Sequence, residues 1–212
     1  MYETFLFAST VFMGFFAIMN PIGNMPIFLG LVEGIEKPEQ KKIAWKSVSL
    51  AFLIVTAFSV FGSLIFKAFG ITLPAFQIGG GLLIFIVGYQ LLHGKESNMH
   101  HPSEGENDKD GAVEDIAISP LAIPILAGPG TISTAMNFVG EGSSFLHTLV
   151  VIGVFAVICL ITYLCFVFGE QILSHFKKGV VKVITRLMGL IITIISVQMV
   201  ISGVHNALNL YK

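Results

Sequence analysis

Two stretches decide how this chain folds: Asn20-Pro21-Ile22-Gly23-Asn24-Met25-Pro26, and Ala127-Gly128-Pro129-Gly130-Thr131-Ile132-Ser133-Thr134. Each lies inside a long run free of Asp, Glu, Lys and Arg, residues 4 to 32 for the first and 116 to 140 for the second. Pro21 and Pro129 lack an amide hydrogen and clash with the carbonyl one turn back, while Gly23, Gly128 and Gly130 permit angles that other residues resist. A helix should therefore break at both places. In hydrocarbon each unpaired backbone group costs several kcal/mol, so an unwound segment survives only where protein or a watery cavity satisfies it. The two breaks are expected to face each other near mid-membrane. Downstream half-helices should begin near Asn24 to Pro26 and near Thr131 to Thr134, with Asn24, Thr131 or Ser133 as N-caps and Pro26 in a first turn. Their positive ends suit a carboxylate. The carbonyls ending the upstream halves, near Met19-Asn20 and Leu126-Ala127, suit an ammonium group or a small cation. Asn20, Pro21, Gly23, Asn24, Gly128, Pro129, Gly130, Thr131, Ser133 and Thr134 are thus the candidate binding residues for a small zwitterionic solute.

Working outward, four more charge-free runs appear, at 47 to 66, 68 to 94, 142 to 169 and 187 to 211. Each of the six runs is long enough for the ~20 residues a helix needs to cross a bilayer. With 54% hydrophobic residues and a mean hydropathy of +0.84, the chain reads as an all-α membrane protein of six transmembrane helices, spans one and four being the broken ones. The net charge of −1 and the lack of a basic, aromatic-laced cluster exclude nucleic-acid binding. Cys159 and Cys165 share one span and offer no disulfide framework or metal pair. Met1-Tyr2-Glu3 lacks a basic leader, so the first apolar run is expected to be retained as a span.

Sliding the chain by 108 residues pairs Pro21 with Pro129, Glu33 with Glu141, Gly34 with Gly142, Gly81 with Gly189 and Gln90 with Gln198. Three spans per half is an odd number, so the second half sits upside down, an inverted repeat of the kind found in secondary transporters. The halves are residues 1–94 and 116–212, joined by a polar linker, 95–115. Ten of the 12 basic residues fall in loops 33–46, 93–115 and 170–186, leaving Lys67 and Lys212 on the other side. The positive-inside rule makes those three loops cytoplasmic and both termini external.

Gly81 and Gly88, like Gly189, Ser196 and Gly203, recur every seven residues, which reads as a close-packed seam between the third helices of the two halves. Gln90, Gln77 and Gln198 read as interhelical hydrogen-bonders, with substrate contact as the alternative. Arg186, opening span six, should snorkel to headgroups, a gating ion pair being its other reading. Asn137, Thr72 and Thr162 read as structural, His147 and His205 as boundary residues, and His100-His101 as solvated loop. No charge-free run holds a carboxylate, so a buried proton relay is not visible, and the coupling ion, sodium or proton, stays open. No cofactor or metal is expected.

The chain resembles the MarC/SnatA family of bacterial and archaeal inner-membrane proteins over essentially its whole length. The resemblance rests on Asn20 to Phe28, on Pro120-Leu121-Ala122-Ile123-Pro124 running into Ala127 to Ser133, and on Thr185-Arg186-Leu187-Met188-Gly189-Leu190. It implies a six-span inner-membrane protein grouped with the LysE-like transporters, some members of which carry glycine and alanine. The expected function is alternating-access transport of small neutral amino acids, with a channel or a membrane partner without carrier activity as the alternative. No HExxH, GxSxG or His/Asp cluster lies within the spans, so an enzyme is not expected. Self-association into a homo-oligomer is left open.

Overall fold

The computed structural model describes residues 2–93, 126–141, 145–174 and 178–210, all folded around helices. In chain order these are α1 (Tyr2–Met19), α2 (Pro21–Leu31), α3 (Lys37–Phe69), α4 (Leu73–His93), α5 (Pro129–Glu141), α6 (Phe145–Ser174) and α7 (Lys178–Leu210). Among the described residues five segments are long and apolar enough to cross a membrane, with α1 and α2 together forming the first. The linker 95–115, His100-His101, Pro120 and Pro124 lie outside the described residues.

Local chemistry sets the boundaries. Pro38 stands in the first turn of α3, where its missing amide is no loss, and Gly70, at φ 65°, ends that helix in the left-handed region glycine favours. Thr72 accepts the Ala75 amide through Oγ1 at 3.3 Å and so caps α4. With 33 residues α3 spans about 50 Å at 1.5 Å per residue. That exceeds a hydrocarbon layer of roughly 30 Å. The surplus is its lysine-bearing first turns, which is why the helix runs well beyond the charge-free 47 to 66.

In lipid, apolar surface alone does not drive helices together, so close approach and shape must. Val11, Phe15 and Met19 form the buried stripe of α1, facing Phe155 and Thr162 of α6. Phe28 of α2 stacks on Phe166 of α6 with ring centroids 4.4 Å apart. Phe52 and Trp45 of α3 meet Phe155 and Tyr163 of α6, so these two helices are antiparallel. An ion pair between Lys37 and Glu170 closes one end of that pairing, bringing two of the three basic loops to the same end of the bundle. Two glycine notches recur: Gly62 of α3 receives Met136 of α5, and Gly169 of α6 receives Met25 and Leu29 of α2.

Helices α4 and α7 meet along a close-packed seam. Helices α4 and α7 pair more extensively than any other two described helices. A Cβ added at Gly81 would lie 2.9 Å from the Ser196 carbonyl, one at Gly88 3.0 Å from that of Gly189, and one at Gly203 3.0 Å from that of Pro74. Those neighbours are backbone and cannot rotate away. Ascending on α4 goes with descending on α7, so the pair is antiparallel.

Candidate functional site

Helices α1 and α2 are separated by one residue. Asn20 sits at φ 44°, ψ 64°, a conformation that Asn tolerates better than most residues. Pro21 follows at the first helical position, so the ladder restarts at once, and the Asn24 amide already reaches the Asn20 carbonyl at 3.0 Å. This corrects the expected boundary: α2 begins at Pro21 and not near Asn24 to Pro26. The cap is Asn20, whose Oδ1 accepts the Gly23 amide at 3.1 Å. Asn24 lies inside α2, and its Nδ2 donates to the Met19 carbonyl at 2.7 Å. That carbonyl, expected to be free for a cation, is thereby taken. Two asparagines mend the interruption from both sides, so a wider unwound segment is not needed. Pro26 sits inside α2, where its missing amide removes one bond of the ladder.

Helix α5 likewise begins earlier than expected, at Pro129, with the Gly128 carbonyl accepting the Ile132 amide at 3.1 Å. The amides of Gly130 and Thr131 precede that first rung. Ile18 on the last turn of α1 lies 3.3 Å from a Cβ built at Gly130, while Gly14 faces Thr134 and Phe138. Helices α1 and α5 are therefore antiparallel, and the start of α5 lies beside the end of α1. Gly80 of α4 makes room for Pro129.

Bonding separates the buried polar side chains. Ser47, Ser59, Thr162 and Ser196 each donate to a carbonyl three or four residues back on their own helix, which is a structural role. Gln77 is buried and accepts from Asn206 Nδ2 across the α4–α7 pair, at 3.5 Å. Thr131 and Ser133, 1% and 3% exposed, take no such bond among the described residues. Among the described residues the Ser133 hydroxyl has no hydrogen-bond partner, nor do Thr56 Oγ1 and His147 Nδ1. An unmet buried hydroxyl costs free energy, so native structures leave few of them.

The candidate residues thus fall into two groups. Asn20, Pro21, Gly23 and Asn24 form one self-bonded interruption. Gly128, Pro129, Gly130, Thr131 and Ser133 form a buried helix start, with Thr134 half-buried against α1. Gly81 and Gly189 belong to the seam. Gln198 is exposed and bonds Ser202 on its own helix, and Gln90 is half-buried. Arg186 is exposed. Among the described residues no group of three or more His, Cys, Asp or Glu could hold a metal ion.

Sequence reasoning passed over an open cleft of about 670 Å³ between the start of α4 and the ends of α5 and α7. Asn137, read as structural, lines it with Gln77, Gln198, Ser202, His205 and Asn206. The signal was available: positions 198, 202, 205 and 206 recur at helical spacing on one side of the last span. His147, read as a boundary residue, packs its ring edge-on to Phe7 at 4.9 Å.

Long apolar helices whose polar groups gather at helix ends inside the bundle define an integral, multi-pass helical membrane protein. The chain belongs to the MarC family of integral membrane proteins, whose family model matches residues 5–208. It is 46% identical to the UPF0056 membrane protein YvbG of Bacillus subtilis, covering 94% of each chain. It is 38% identical to UPF0056 membrane proteins of Methanocaldococcus jannaschii and of Aquifex aeolicus, covering 93% of this chain in both cases and 95% and 92% of those proteins. No solved structure matches the chain.

Proposed function

We propose that the protein is a secondary carrier of small neutral amino acids, of the glycine and alanine type, working in the inner membrane by alternating access of two inverted repeats. The observation that carries this reading is the start of α5: a proline- and glycine-opened helix end, enclosed by the bundle, beside a buried Ser133 hydroxyl with no partner among the described residues. Partial positive charge and free amides at such an end favour a carboxylate. Asn24, buried at the α1–α2 interruption, offers its Oδ1 to the ammonium group.

The repeat reading draws support from helix starts and from packing. Pro21 and Pro129, and Lys37 and Phe145, each begin helices 108 residues apart. Helix α2 packs on α6 as α5 packs on α3, the second long helices of the halves pair with each other, and so do the third. The two glycine notches obey the same exchange. Two sets of helices related this way can rock against each other around a fixed central site.

The test is counter-flow in proteoliposomes. Vesicles preloaded with unlabelled glycine should take up external labelled glycine faster than empty ones, because accelerated exchange requires a carrier cycle. Saturable flux without acceleration would indicate a channel, and the absence of flux for any small neutral amino acid would remove the proposal.

A further inference from the structure

The cleft at the ends of α4, α5 and α7 lies at the end of the bundle opposite the Lys37–Glu170 ion pair. Among the described residues its lining holds carboxamides, a hydroxyl and an imidazole, and no Asp, Glu, Lys or Arg. At ~30 Å³ per water molecule, about 20 would fit, so a small solute can enter hydrated. The described lining offers donors and acceptors in both senses and no counter-charge. It suits a solute of no net charge and repays poorly the desolvation of a net ion.

The walls of this cleft continue to the start of α5. On α5 the lining residues Gly140, Asn137 and Met136 are followed inward, at helical spacing, by Ser133 and then by Gly130 and Pro129. On α4, Leu73 and Gln77 are followed by Gly80, against which Pro129 packs. At the junction, beside Ile84 and Ile18, stands the flexible side chain of Met199, which is 9% exposed. Its Cε lies 3.2 Å from a Cβ built at Gly80, and its Sδ lies 3.8 Å from one built at Gly130. An unbranched thioether has three rotatable bonds and swings between rotamers more easily than a branched side chain.

We propose that this cleft is an outer vestibule that collects an uncharged or zwitterionic amino acid, and that Met199 is the gate between it and the start of α5. The proposal rests on the carrier reading above and adds a second, peripheral binding place and a moving part. Gly80 and Gly130, lacking side chains, let Pro129, Ile84 and Ile18 close in, and the Met199 thioether lies at the edge of that contact, from which it swings.

The experiment uses Gly140→Cys, chosen because a Cβ there meets nothing within 4 Å. Asn137→Cys is the second variant, and the wild-type chain with Cys159 and Cys165 is the labelling control. A membrane-impermeant methanethiosulfonate, added to oriented proteoliposomes on the side bearing the termini, should label both introduced thiols. Millimolar glycine should slow that labelling severalfold, and the attached group should cut glycine exchange relative to the same variant unlabelled. Met199→Ala should make Ser133→Cys react from that side, whereas with Met199 in place it should react slowly. Labelling of both cleft thiols that glycine does not slow and that leaves exchange intact, in vesicles whose wild-type protein exchanges glycine, overturns the vestibule and leaves the carrier reading standing. Equal reactivity of Ser133→Cys with and without Met199 overturns the gate. Wild-type vesicles that exchange no small neutral amino acid overturn the carrier reading, and the vestibule falls with it.

Discussion

Replacing Gly81 and Gly79 by alanine, one at a time, isolates the energy of the α4–α7 seam. Both glycines lie inside α4, so each substitution gains the same helix propensity, about 1 kcal/mol. Their surroundings differ. A Cβ at Gly79 meets nothing within 4 Å, while one at Gly81 lies 2.8 Å from Val200 Cγ2, 2.9 Å from the Ser196 carbonyl oxygen and 3.3 Å from the Val200 amide nitrogen. Ordinary contact begins near 3.4 Å, so α7 would have to retreat by about half an ångström along a seam that also holds Gly88 and Gly203. Overpacking of this kind costs typically 1–3 kcal/mol. Gly81→Ala is therefore expected to be ~1–3 kcal/mol less stable than Gly79→Ala, the shared propensity cancelling. Reversible unfolding in mixed detergent micelles, followed by helical circular dichroism, measures the difference. Two variants of equal stability would refute the seam as a close-packed contact.

Three further substitutions test other parts of the structure. Asn20→Ala removes the acceptor of the Gly23 amide and the local side-chain bonding that lets Asn hold the left-handed conformation, so it should lose roughly 1–3 kcal/mol, with Asn20→Gly losing less, in the same unfolding assay. Ser133→Ala deletes an orphan hydroxyl, so the ligand-free protein should be as stable or more so, while the thermal shift produced by glycine should shrink. A smaller shift with lower intrinsic stability would mark Ser133 as merely structural. Lys37→Ala breaks an ion pair whose side chains are 63% and 61% exposed, and should change stability by less than about 1 kcal/mol, an effect that added salt removes.

The long helices and their seam were legible because charge spacing and the heptad-like return of Gly81, Gly88, Gly189, Ser196 and Gly203 are one-dimensional signals of burial in lipid. The need for a boundary between Met19 and Pro26 was legible too, since Pro21 cannot continue a ladder unaided. Its extent was not. Proline and glycine counts suggest a wide unwound segment, but Asn20 and Asn24 each reach a backbone group across the gap, and those bonds depend on side-chain geometry that spacing does not encode. Position 133 was legible as a polar residue near a helix start, yet its lack of a partner could not be read. Ser47, Ser59 and Ser196 look the same in the sequence and bond their own helices. The cleft went unread because its walls come from three helices, and Asn137 gains meaning only beside Gln77 and Gln198.

The strongest pairings among the described helices, α4 with α7 and α3 with α6, and those of α1 and α2 with α6, all join the first half of the chain to the second. A ribosome delivers the first half earlier, so its helices reach the bilayer before the surfaces that cover them have been made. Phe15, Phe28, Phe52 and Gly81 must wait in lipid for Phe155, Phe166 and Ser196 to emerge. The first part of the chain thus gains most of its described packing partners only when the later helices arrive.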